Sequence, residues 1–485
     1  MNVQATTPGV AEFDVRPVNK KANRSFYAKR VKIHPKRAQG AFRRLKWIVM
    51  AVTLTIYYVT PWLRWSRGLG APDQAVLIDF EHRRFYFFFI ELWPQEVYYF
   101  TGLLVMAGIG LFFMTSLAGR VWCGYACPQT VWTDLFLVVE RAVEGDRNAR
   151  IRLDKAPFGI AKLRKRATKH ALWLLIALAT GGGWVFYFAD APTLARDLLQ
   201  LQAPMAAYVT IGILTFTTYV FGGLMREQVC IYMCPWPRIQ GAMLDEESLV
   251  VTYHEWRGEP RGKHQKSSTG ARLGDCVDCN ACVVVCPMGI DIRDGQQLEC
   301  ITCALCIDAC NGVMKKLGRP ANLIGYDTLA NDRRRAVGQP THYRLWRPRT
   351  ILYATLWSVL GLFMVYALAT RADLEISVLH DRSPMFVALM DGGLRNGYTV
   401  RALNKRHDER RLHLAIAGLP GAELTIVGQQ GADIVVPPDD VRSIKAYVRL
   451  PPGAVWTPST DFRFVLSDAV GRSSAQYDTV FRGPE

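Results

Sequence analysis

Five long apolar stretches are the feature that most constrains the fold of this 485-residue chain. The hydrocarbon core of a bilayer is about 30 Å thick, and a helix needs about 20 mostly apolar residues to cross it. One such stretch is compatible with a buried helix of a soluble protein, but five together predict a bundle of five membrane-spanning helices. The predicted spans are Leu45–Leu63, Val97–Ala118, His170–Ala189, Met205–Leu224 and Thr350–Thr370.

The basic residues between these stretches predict the orientation of the helices, because cytoplasmic loops carry an excess of Lys and Arg. Residues 1–46 contain 12 Lys or Arg and two acids, and residues 140–169 contain 10 Lys or Arg and four acids. By contrast, residues 64–96 contain four Arg and five acids. The predicted cytoplasmic segments are therefore the N-terminus, 119–169 and 225–349, and the predicted outer segments are 64–96, 190–204 and all residues after Thr370.

The same distribution explains the net charge of +17, which results from 59 Lys or Arg against 42 Asp or Glu. Such a surplus is compatible with binding to nucleic acid. Here, however, the basic residues follow one predicted side of a membrane. We therefore expect a membrane as a partner and no nucleic acid.

Eight of the twelve cysteines form the most specific motif in the chain. They read C-x2-C-x2-C-x3-C twice, a spacing typical of bacterial two-cluster ferredoxins. In those proteins, three thiolates of one run and the last thiolate of the other run hold one [4Fe–4S] cluster. A zinc site is a poorer match, because zinc ligands usually come as two pairs. The predicted ligand sets are Cys276, Cys279, Cys282 and Cys310 for one cluster, and Cys286, Cys300, Cys303 and Cys306 for the other.

The remaining four cysteines form a second repeat, C-x-Y-x-C-P, which follows the second and the fourth apolar stretch. The pairs are Cys123 with Cys127 and Cys230 with Cys234. An i, i+4 spacing puts two thiols on one face of a helical turn, and the following Pro can begin the next helix. Soft thiolates favour Cu(I), so these cysteines are candidate copper ligands. A third iron–sulfur cluster, dithiol–disulfide cycling and packing of buried thiols are the alternatives.

The residues after Thr370 predict an all-β domain without cysteines. Alternating apolar and polar residues are typical of half-buried strands, and they occur in 398–403, 411–416, 424–427 and 461–466. The predicted turns are Asn396-Gly397, Pro420-Gly421 and Pro451-Pro452-Gly453. Six or seven short strands in about 115 residues predict an immunoglobulin-like sandwich. Because the tail has no cluster of acids or histidines, we expect it to dock a partner.

The expected fold class is a multi-domain membrane protein, with a helical bundle, a ferredoxin-like α+β insert and an all-β tail. The predicted segments are a basic cytoplasmic arm (1–44), a first transmembrane hairpin (45–118), a Cys-x3-Cys-Pro segment with a basic loop (119–169), a second hairpin (170–224), a second Cys-x3-Cys-Pro segment with a linker (225–270), the two-cluster domain (271–320), a linker (321–349), a fifth transmembrane helix (350–370) and the immunoglobulin-like domain (371–485).

This order of segments resembles the membrane-bound cytochrome oxidase accessory proteins called CcoG, FixG or RdxA, which are polyferredoxins. The resemblance covers nearly the whole chain. It implies a bacterial inner-membrane protein with its clusters in the cytoplasm and its tail in the periplasm. It also implies reduction of Cu(II) to Cu(I) during assembly of a cbb-type haem–copper oxidase. The four cysteines at the helix ends would be the copper-linked thiols, and the eight ferredoxin cysteines would hold the electron supply.

The resemblance also implies partners, namely subunits of the cbb-type oxidase or copper chaperones and transporters. A cytoplasmic electron donor is required, and the sequence does not identify it; a homo-oligomer is compatible with the sequence. Two other functions stay open at this point. One is a quinol- or donor-linked electron-transfer subunit that feeds a periplasmic reductase, and the other is a scaffold for oxidase assembly.

Overall fold

The computed structural model describes the chain as two compact units, residues 1–67 with 72–364, and residues 68–71 with 365–485. The described residues are 10–19, 31–67, 71–262, 273–406, 408–429, 431–454, 457–468 and 473–484. Parts of the predicted arm (1–44) and of the predicted linker in 225–270 lie outside them.

The first unit begins with eight helices and one small antiparallel sheet, whose strands follow the order β1-β2-β3. These elements are α1 (Ala41–Val59), β1 (Val76–Asp79), β2 (Arg84–Phe87), β3 (Ile90–Leu92), α2 (Val97–Ala118), α3 (Val121–Tyr125), α4 (Pro128–Glu144), α5 (Arg147–Lys155), α6 (Ile160–Val185), α7 (Ala191–Leu199) and α8 (Met205–Thr218). A π-helical segment, Tyr219–Met225, continues α8.

The unit continues with the ferredoxin-like insert and one long helix. Its elements are α9 (Trp236–Met243), β4 (Val250–Tyr253), α10 (Glu255–Gly258), α11 (Ala281–Val285), α12 (Leu305–Lys316), β5 (Ile324–Asp327), α13 (Leu329–Ala336) and α14 (Pro348–Ala369). The strands β4 and β5 pair antiparallel and share a hydrophobic core with α11 and α12. Along the sequence, all eight cysteines of the ferredoxin motif therefore lie between β4 and β5. Both strands lie outside the predicted range 271–320.

Within the described residues, three helical segments are long and apolar enough to cross a membrane. They correspond to the second, fourth and fifth predicted spans. In Pro94–Ala118 and Met205–Met225, 11% of the most apolar window is buried inside the protein, and in Pro348–Ala369 none is. Helices that are apolar on all sides and not covered by protein suit a lipid environment. The first and third predicted spans are also helical, since they lie mostly within α1 and α6.

A buried ion network on α4 ties the helical segments together. Glu140 is fully buried, and its carboxylate pairs with Arg150 at 2.8 Å, with Arg226 at 2.9 Å and with Lys169 at 3.7 Å. Burial alone would raise the pKa of Glu140, but Arg226, Arg150 and Lys169 hold that pKa at about 2. The network joins α4 to α5, α6 and the segment that follows α8.

Replacing Glu140 by Gln is expected to lower the free energy of unfolding by about 3–5 kcal/mol, because the buried cations lose their shared carboxylate. Thermal unfolding of the detergent-solubilised full chain measures this effect. Glu246→Gln is the matched control, since Glu246 forms an exposed pair with Arg333 and is worth about 0–1 kcal/mol. Equal melting temperatures of the two variants would contradict the prediction.

The pH dependence of the wild-type chain provides a second check on Glu140. Because its pKa is lowered from 4.5 to about 2, its contribution is fully present above pH 4.5. It is lost as the pH falls from 4.5 through about 2. Glu140→Gln is expected to lack this part of the acid dependence.

The second unit is a β-sandwich with one hydrophobic core. One sheet has the order β10-β12-β8-β6 with β7 paired to β8, and the other has the order β11-β9-β13-β14. The strands are β6 (Leu374–His380), β7 (Val387–Ala388), β8 (Leu394–Asn404), β9 (Arg410–Ala417), β10 (Glu423–Ile426), β11 (Asp433–Val436), β12 (Asp440–Leu450), β13 (Ser459–Asp468) and β14 (Ser474–Arg482). The two sheets are joined by Tyr398, whose buried hydroxyl donates a hydrogen bond to Val480 O at 2.8 Å.

The sandwich confirms the predicted all-β tail but corrects two details. The described residues of the tail contain nine strands, more than the six or seven expected. The turn predicted at Asn396-Gly397 is wrong, because both residues lie inside β8 and pair with Val448 and Tyr447 of β12. A Cβ on Gly397 would meet the Asp381 carboxylate.

Candidate metal centres

The structure brings thiols of the two ferredoxin runs close to one another. In the first group, the Cys310 thiol lies within electrostatic reach of Cys276 and Cys279, and the Cys282 thiol lies within reach of Cys279 and Cys310. Burial, together with Cys279 and Cys276, raises the pKa of the Cys310 thiol to about 12. The last cysteine of the second run therefore joins the first three cysteines of the first run.

The second group is formed in the reciprocal way. The Cys306 thiol lies within electrostatic reach of Cys303, Cys300 and Cys286. Burial raises the pKa of Cys300 to about 11, and burial together with Cys303 raises that of Cys286 to about 12. The Cys282 thiol is also an electrostatic neighbour of Cys306, so the two groups lie side by side.

The two cysteine loops repeat one backbone conformation. Asp278 and Thr302 occupy equivalent positions with φ of 51° and 57°, and Asn280 and Ala304 follow with φ of 55° and 61°. Residues with a Cβ rarely adopt this left-handed region, and Thr least readily, because of its branched Cβ. Such strain persists where the surrounding structure requires it and clusters at ligand sites. The repeated strained loop is therefore the backbone signature of two equivalent binding sites.

These residues fit two [4Fe–4S] clusters. The donors are soft sulfur atoms in two groups of four, each served by a loop of the same shape. No three metal-ligating side chains in the described part of the chain lie close enough together to form a finished coordination shell. The fit therefore rests on the chemistry of the sulfur donors, on the proximity of the thiols and on the repeated loop conformation. When bound, such clusters accept and donate single electrons.

Arg293 is a buried charged residue beside the first group. Its guanidinium lies 4.0 Å from Cys276 Sγ and donates hydrogen bonds to Asp278 at 2.6 Å, to Asn280 at 2.6 Å and to Asp291 at 2.7 Å. It therefore ties the first cysteine loop to the segment after α11 and places a positive charge beside the thiolates. No local pattern indicates this role, since Arg293 lies outside the cysteine motif.

The four helix-end cysteines also come together. The Cys230 thiol lies within electrostatic reach of Cys127, Cys123 and Cys234. Cys123 is buried, Cys127 and Cys230 are half-buried and Cys234 is exposed. Burial raises the pKa of Cys123 to about 11 and that of Cys230 to about 12. Four thiols thus converge between the two helical hairpins, with an opening to solvent at one of them.

Each motif forms a helical turn, since Cys123 lies in α3 and Cys230 lies in a π-helical segment, Val229–Met233. The N–H of Cys127 donates to Trp122 O at 2.9 Å, and the N–H of Cys234 donates to Val229 O at 2.8 Å. Both hydrogen bonds span five residues, so each motif closes a π-type turn. The expectation that Pro begins the next helix is confirmed for Pro128, the first residue of α4. The two motifs are therefore a structural repeat as well as a sequence repeat.

The first helix-end motif packs directly on the second ferredoxin loop. A Cβ added to Gly124 would lie 2.6 Å from Ile301 O and 3.0 Å from Cys303 Cα. The Tyr125 hydroxyl donates to Cys303 O at 3.3 Å. Cys123 and Cys303 belong to one buried cluster of side chains. The segment that carries Cys123 is thus in direct contact with the second ferredoxin loop.

Two further residues of this region were missed by sequence reasoning. Gln240 is fully buried, and its Oε1 accepts hydrogen bonds from the Cys123 thiol at 3.2 Å and from Arg120 Nε at 3.3 Å. Its Nε2 donates to Thr115 Oγ1 at 3.1 Å. Arg120 immediately precedes the first motif and was a usable signal, whereas Gln240 lies on α9 and reaches Cys123 only through the fold.

The described part of the N-terminal arm lies on the ferredoxin-like insert. The N–H of Phe13 donates to Cys279 O at 3.2 Å, and the N–H of Val18 donates to Gly289 O at 2.8 Å. The N–H of Lys36 donates to Val284 O at 2.9 Å. The arm therefore covers the first cysteine loop and the segment that follows it.

Three family models match the chain and define its class. A 4Fe-4S dicluster domain matches residues 225–329, a 4Fe-4S binding domain matches residues 99–143, and the model described as an IG-like fold at the C-terminal of FixG matches residues 364–484. Together with the two cysteine groups and the three apolar helices, these matches define a membrane iron–sulfur redox protein with an immunoglobulin-like domain.

Relatives similar over nearly the full length define the family. The nitrogen fixation protein FixG of Rhizobium meliloti is 55% identical, over 99% of this chain and 98% of the relative. The proteins RdxB and RdxA of Cereibacter sphaeroides are each 53% identical, over 95% and 92% of this chain and 98% and 95% of the relatives. The chain belongs to the FixG/RdxA family. A solved FixG-related protein from Vibrio parahaemolyticus aligns with 23% of this chain and 98% of its own, at 20% identity and a TM-score of 0.21.

Proposed function

We propose that this protein reduces Cu(II) to Cu(I) for the assembly of a cbb-type haem–copper oxidase. One observation carries the proposal: the Cys123–Gly124–Tyr125 segment lies against the Cys303 loop. A site for a soft metal ion thereby adjoins a site for an electron carrier. Copper is the substrate here, and each Cu(II) takes up one electron supplied through a cytoplasmic electron donor.

The helix-end residues supply binding and orientation for this reaction. Four thiolates bind Cu(I) more favourably than Cu(II), because soft sulfur prefers the softer ion. The exposed Cys234 offers the incoming ion a first ligand, and the buried Cys123 shares a cluster of side chains with Cys303 of the second ferredoxin group. Gln240 and Arg120 hold Cys123 in place through hydrogen bonds.

The proposal includes the membrane arrangement and the ligand sets. Five spans, formed by the three apolar helices together with α1 and α6, would leave the N-terminus and all twelve cysteines in the cytoplasm and the tail in the periplasm. Cys276, Cys279, Cys282 and Cys310 would hold one cluster, and Cys286, Cys300, Cys303 and Cys306 the other. The segment boundaries and the inner-membrane location predicted from the sequence belong to the same proposal.

A second candidate is a third iron–sulfur cluster at the helix ends, which would make the protein an electron-transfer subunit without a copper substrate. The observation that favours it is the match of a 4Fe-4S binding domain to residues 99–143. The only cysteines of that range are Cys123 and Cys127. Such a subunit would oxidise a quinol or another donor and feed a periplasmic reductase.

A single-turnover experiment tests the copper proposal. The full chain is reduced anaerobically, freed of reductant and mixed with Cu(II), and Cu(I) is trapped with a coloured chelator. We expect one Cu(I) for each electron stored in the protein. Oxidation of an added quinol by the copper-free protein, with no Cu(I) formed in the first experiment, would instead support the second candidate.

Removal of the tail tests whether it serves docking alone. A chain that ends after Thr370 is expected to reduce Cu(II) at a rate within about twofold of the full chain, because the tail is a separate unit with its own core. The same truncation is expected to abolish oxidase assembly in cells. Loss of Cu(II) reduction after truncation would show that the tail takes part in the reaction.

A further inference from the structure

A cavity of about 350 Å³ lies beside α4 and includes none of the twelve cysteines in its lining. Its volume is within the range of small-ligand sites. Cationic side chains from three parts of the chain reach it, and an aromatic ring forms one wall. The residues that carry the argument are Lys32, Arg166, Lys169, His170, Trp173 and Arg226.

Positive charge exceeds negative charge around this cavity. The neighbouring cations are Lys32, Arg150, Arg166, Lys169 and Arg226, and the neighbouring carboxylates are Glu140, Glu144 and Asp154. Five cations thus share three carboxylates, since Lys32 and Arg166 both pair with Asp154, Lys169 and Arg166 with Glu144, and Arg150 and Arg226 with Glu140. Burial, together with Arg166 and Arg226, lowers the pKa of Lys32 despite the opposite effect of Glu140. A bound anion would relieve this repulsion.

The cavity lies at the end of a membrane-spanning segment. Leu224 is near the end of the span Met205–Met225 and lines the cavity together with Gly223. Lys169 Nζ lies 4.8 Å from the centre of the Trp173 ring, and the Arg226 guanidinium lies 5.2 Å from it. The ring thus holds two cations close to the end of this apolar segment.

We propose that this cavity binds a phosphate-bearing anion, with the headgroup of an anionic phospholipid as its source. Basic pockets between membrane helices on the cytoplasmic side bind such headgroups. The bound phosphate would link α6 to the segment around Arg226, which leads into the Cys230 motif. The inference is independent of copper reduction and of the number of clusters.

Lipid retention tests the proposal. The full chain is placed in nanodiscs of phosphatidylcholine with 10–30% phosphatidylglycerol, as an order-of-magnitude range for anionic lipid, and native mass spectrometry of the released protein reports the retained lipid. We expect one retained phosphatidylglycerol. Lys32→Gln is expected to weaken retention about fivefold, and Lys32→Glu about 25-fold, as one or two unit charges are lost near the headgroup.

Lys36→Gln is the matched control, because Lys36 lies on the same arm but over the Phe13 ring. It is expected to retain phosphatidylglycerol like the wild type. A second experiment adds inorganic phosphate to the protein in nanodiscs of pure phosphatidylcholine and measures its thermal stability. If phosphate stabilises the protein only when Lys32 is present, and phosphatidylglycerol is not preferentially retained, the ligand is free phosphate and not a lipid headgroup. If neither probe distinguishes Lys32→Gln from Lys36→Gln, the anion site is refuted.

Discussion

Replacing Cys123, Cys127, Cys230 and Cys234 together by Ser is expected to abolish Cu(II) reduction while the iron content stays at the wild-type value. Loss of a residue that merely orients a metal ligand already lowers metal affinity about 10–100-fold, so loss of all four ligands is expected to cost more. The eight other cysteines lie in the ferredoxin-like insert, and the iron they hold is not expected to change. Single-turnover Cu(I) formation and iron analysis on the same sample measure both effects.

The control for this variant is Met233→Leu. Met233 lies between the cysteines of the second motif and is 52% exposed. Its thioether is therefore a soft, solvent-accessible sulfur atom next to Cys234 that is not one of the proposed ligands. The leucine variant is expected to form Cu(I) at the wild-type rate. Wild-type Cu(I) formation by the four-serine variant would exclude the helix-end thiols as the copper site.

Gly124→Ala is expected to slow Cu(II) reduction about 10- to 100-fold, because misplacement of reacting groups by about 1 Å has effects of this size. The added Cβ would lie 2.6 Å from Ile301 O and 3.0 Å from Cys303 Cα. Both are backbone atoms, so the helix end and the ferredoxin loop must separate. The substitution leaves all twelve cysteines in place, and stopped-flow measurement of Cu(I) formation separates it from a loss of metal.

The matched control is Gly312→Ala on α12, where an added Cβ has no atom within 4 Å. This variant is expected to retain both its iron and its rate of Cu(I) formation. A Gly124→Ala chain that contains normal iron and reduces Cu(II) as fast as the Gly312→Ala chain would show that the contact is irrelevant to electron transfer.

The cysteine spacing predicted that thiols of the two ferredoxin runs come close together, because short x2 spacings fix three thiols locally and leave the fourth to the partner run. The repeat around Cys123 and Cys230 predicted that the other four converge. By contrast, the packing of Gly124 on the Cys303 loop joins segments about 180 residues apart. No local pattern encodes such a contact, and the same holds for Gln240 and Arg293.

Local signals failed where tertiary packing outweighed them. Asn-Gly is a strong hairpin signal, yet Asn396 and Gly397 lie inside β8, where both pair with residues of β12. The strands β4 and β5 are only four residues long, too short to stand out from a basic linker.

Counting iron and copper in the full chain, purified anaerobically and compared with the four-serine variant, tests the central claim most directly. The claim is that the eight ferredoxin cysteines hold two [4Fe–4S] clusters and the four helix-end cysteines serve copper. It predicts about eight irons in both proteins and copper bound only by the wild type. About twelve irons in the wild type, falling to about eight in the variant, would instead make the helix-end cysteines the ligands of a third cluster.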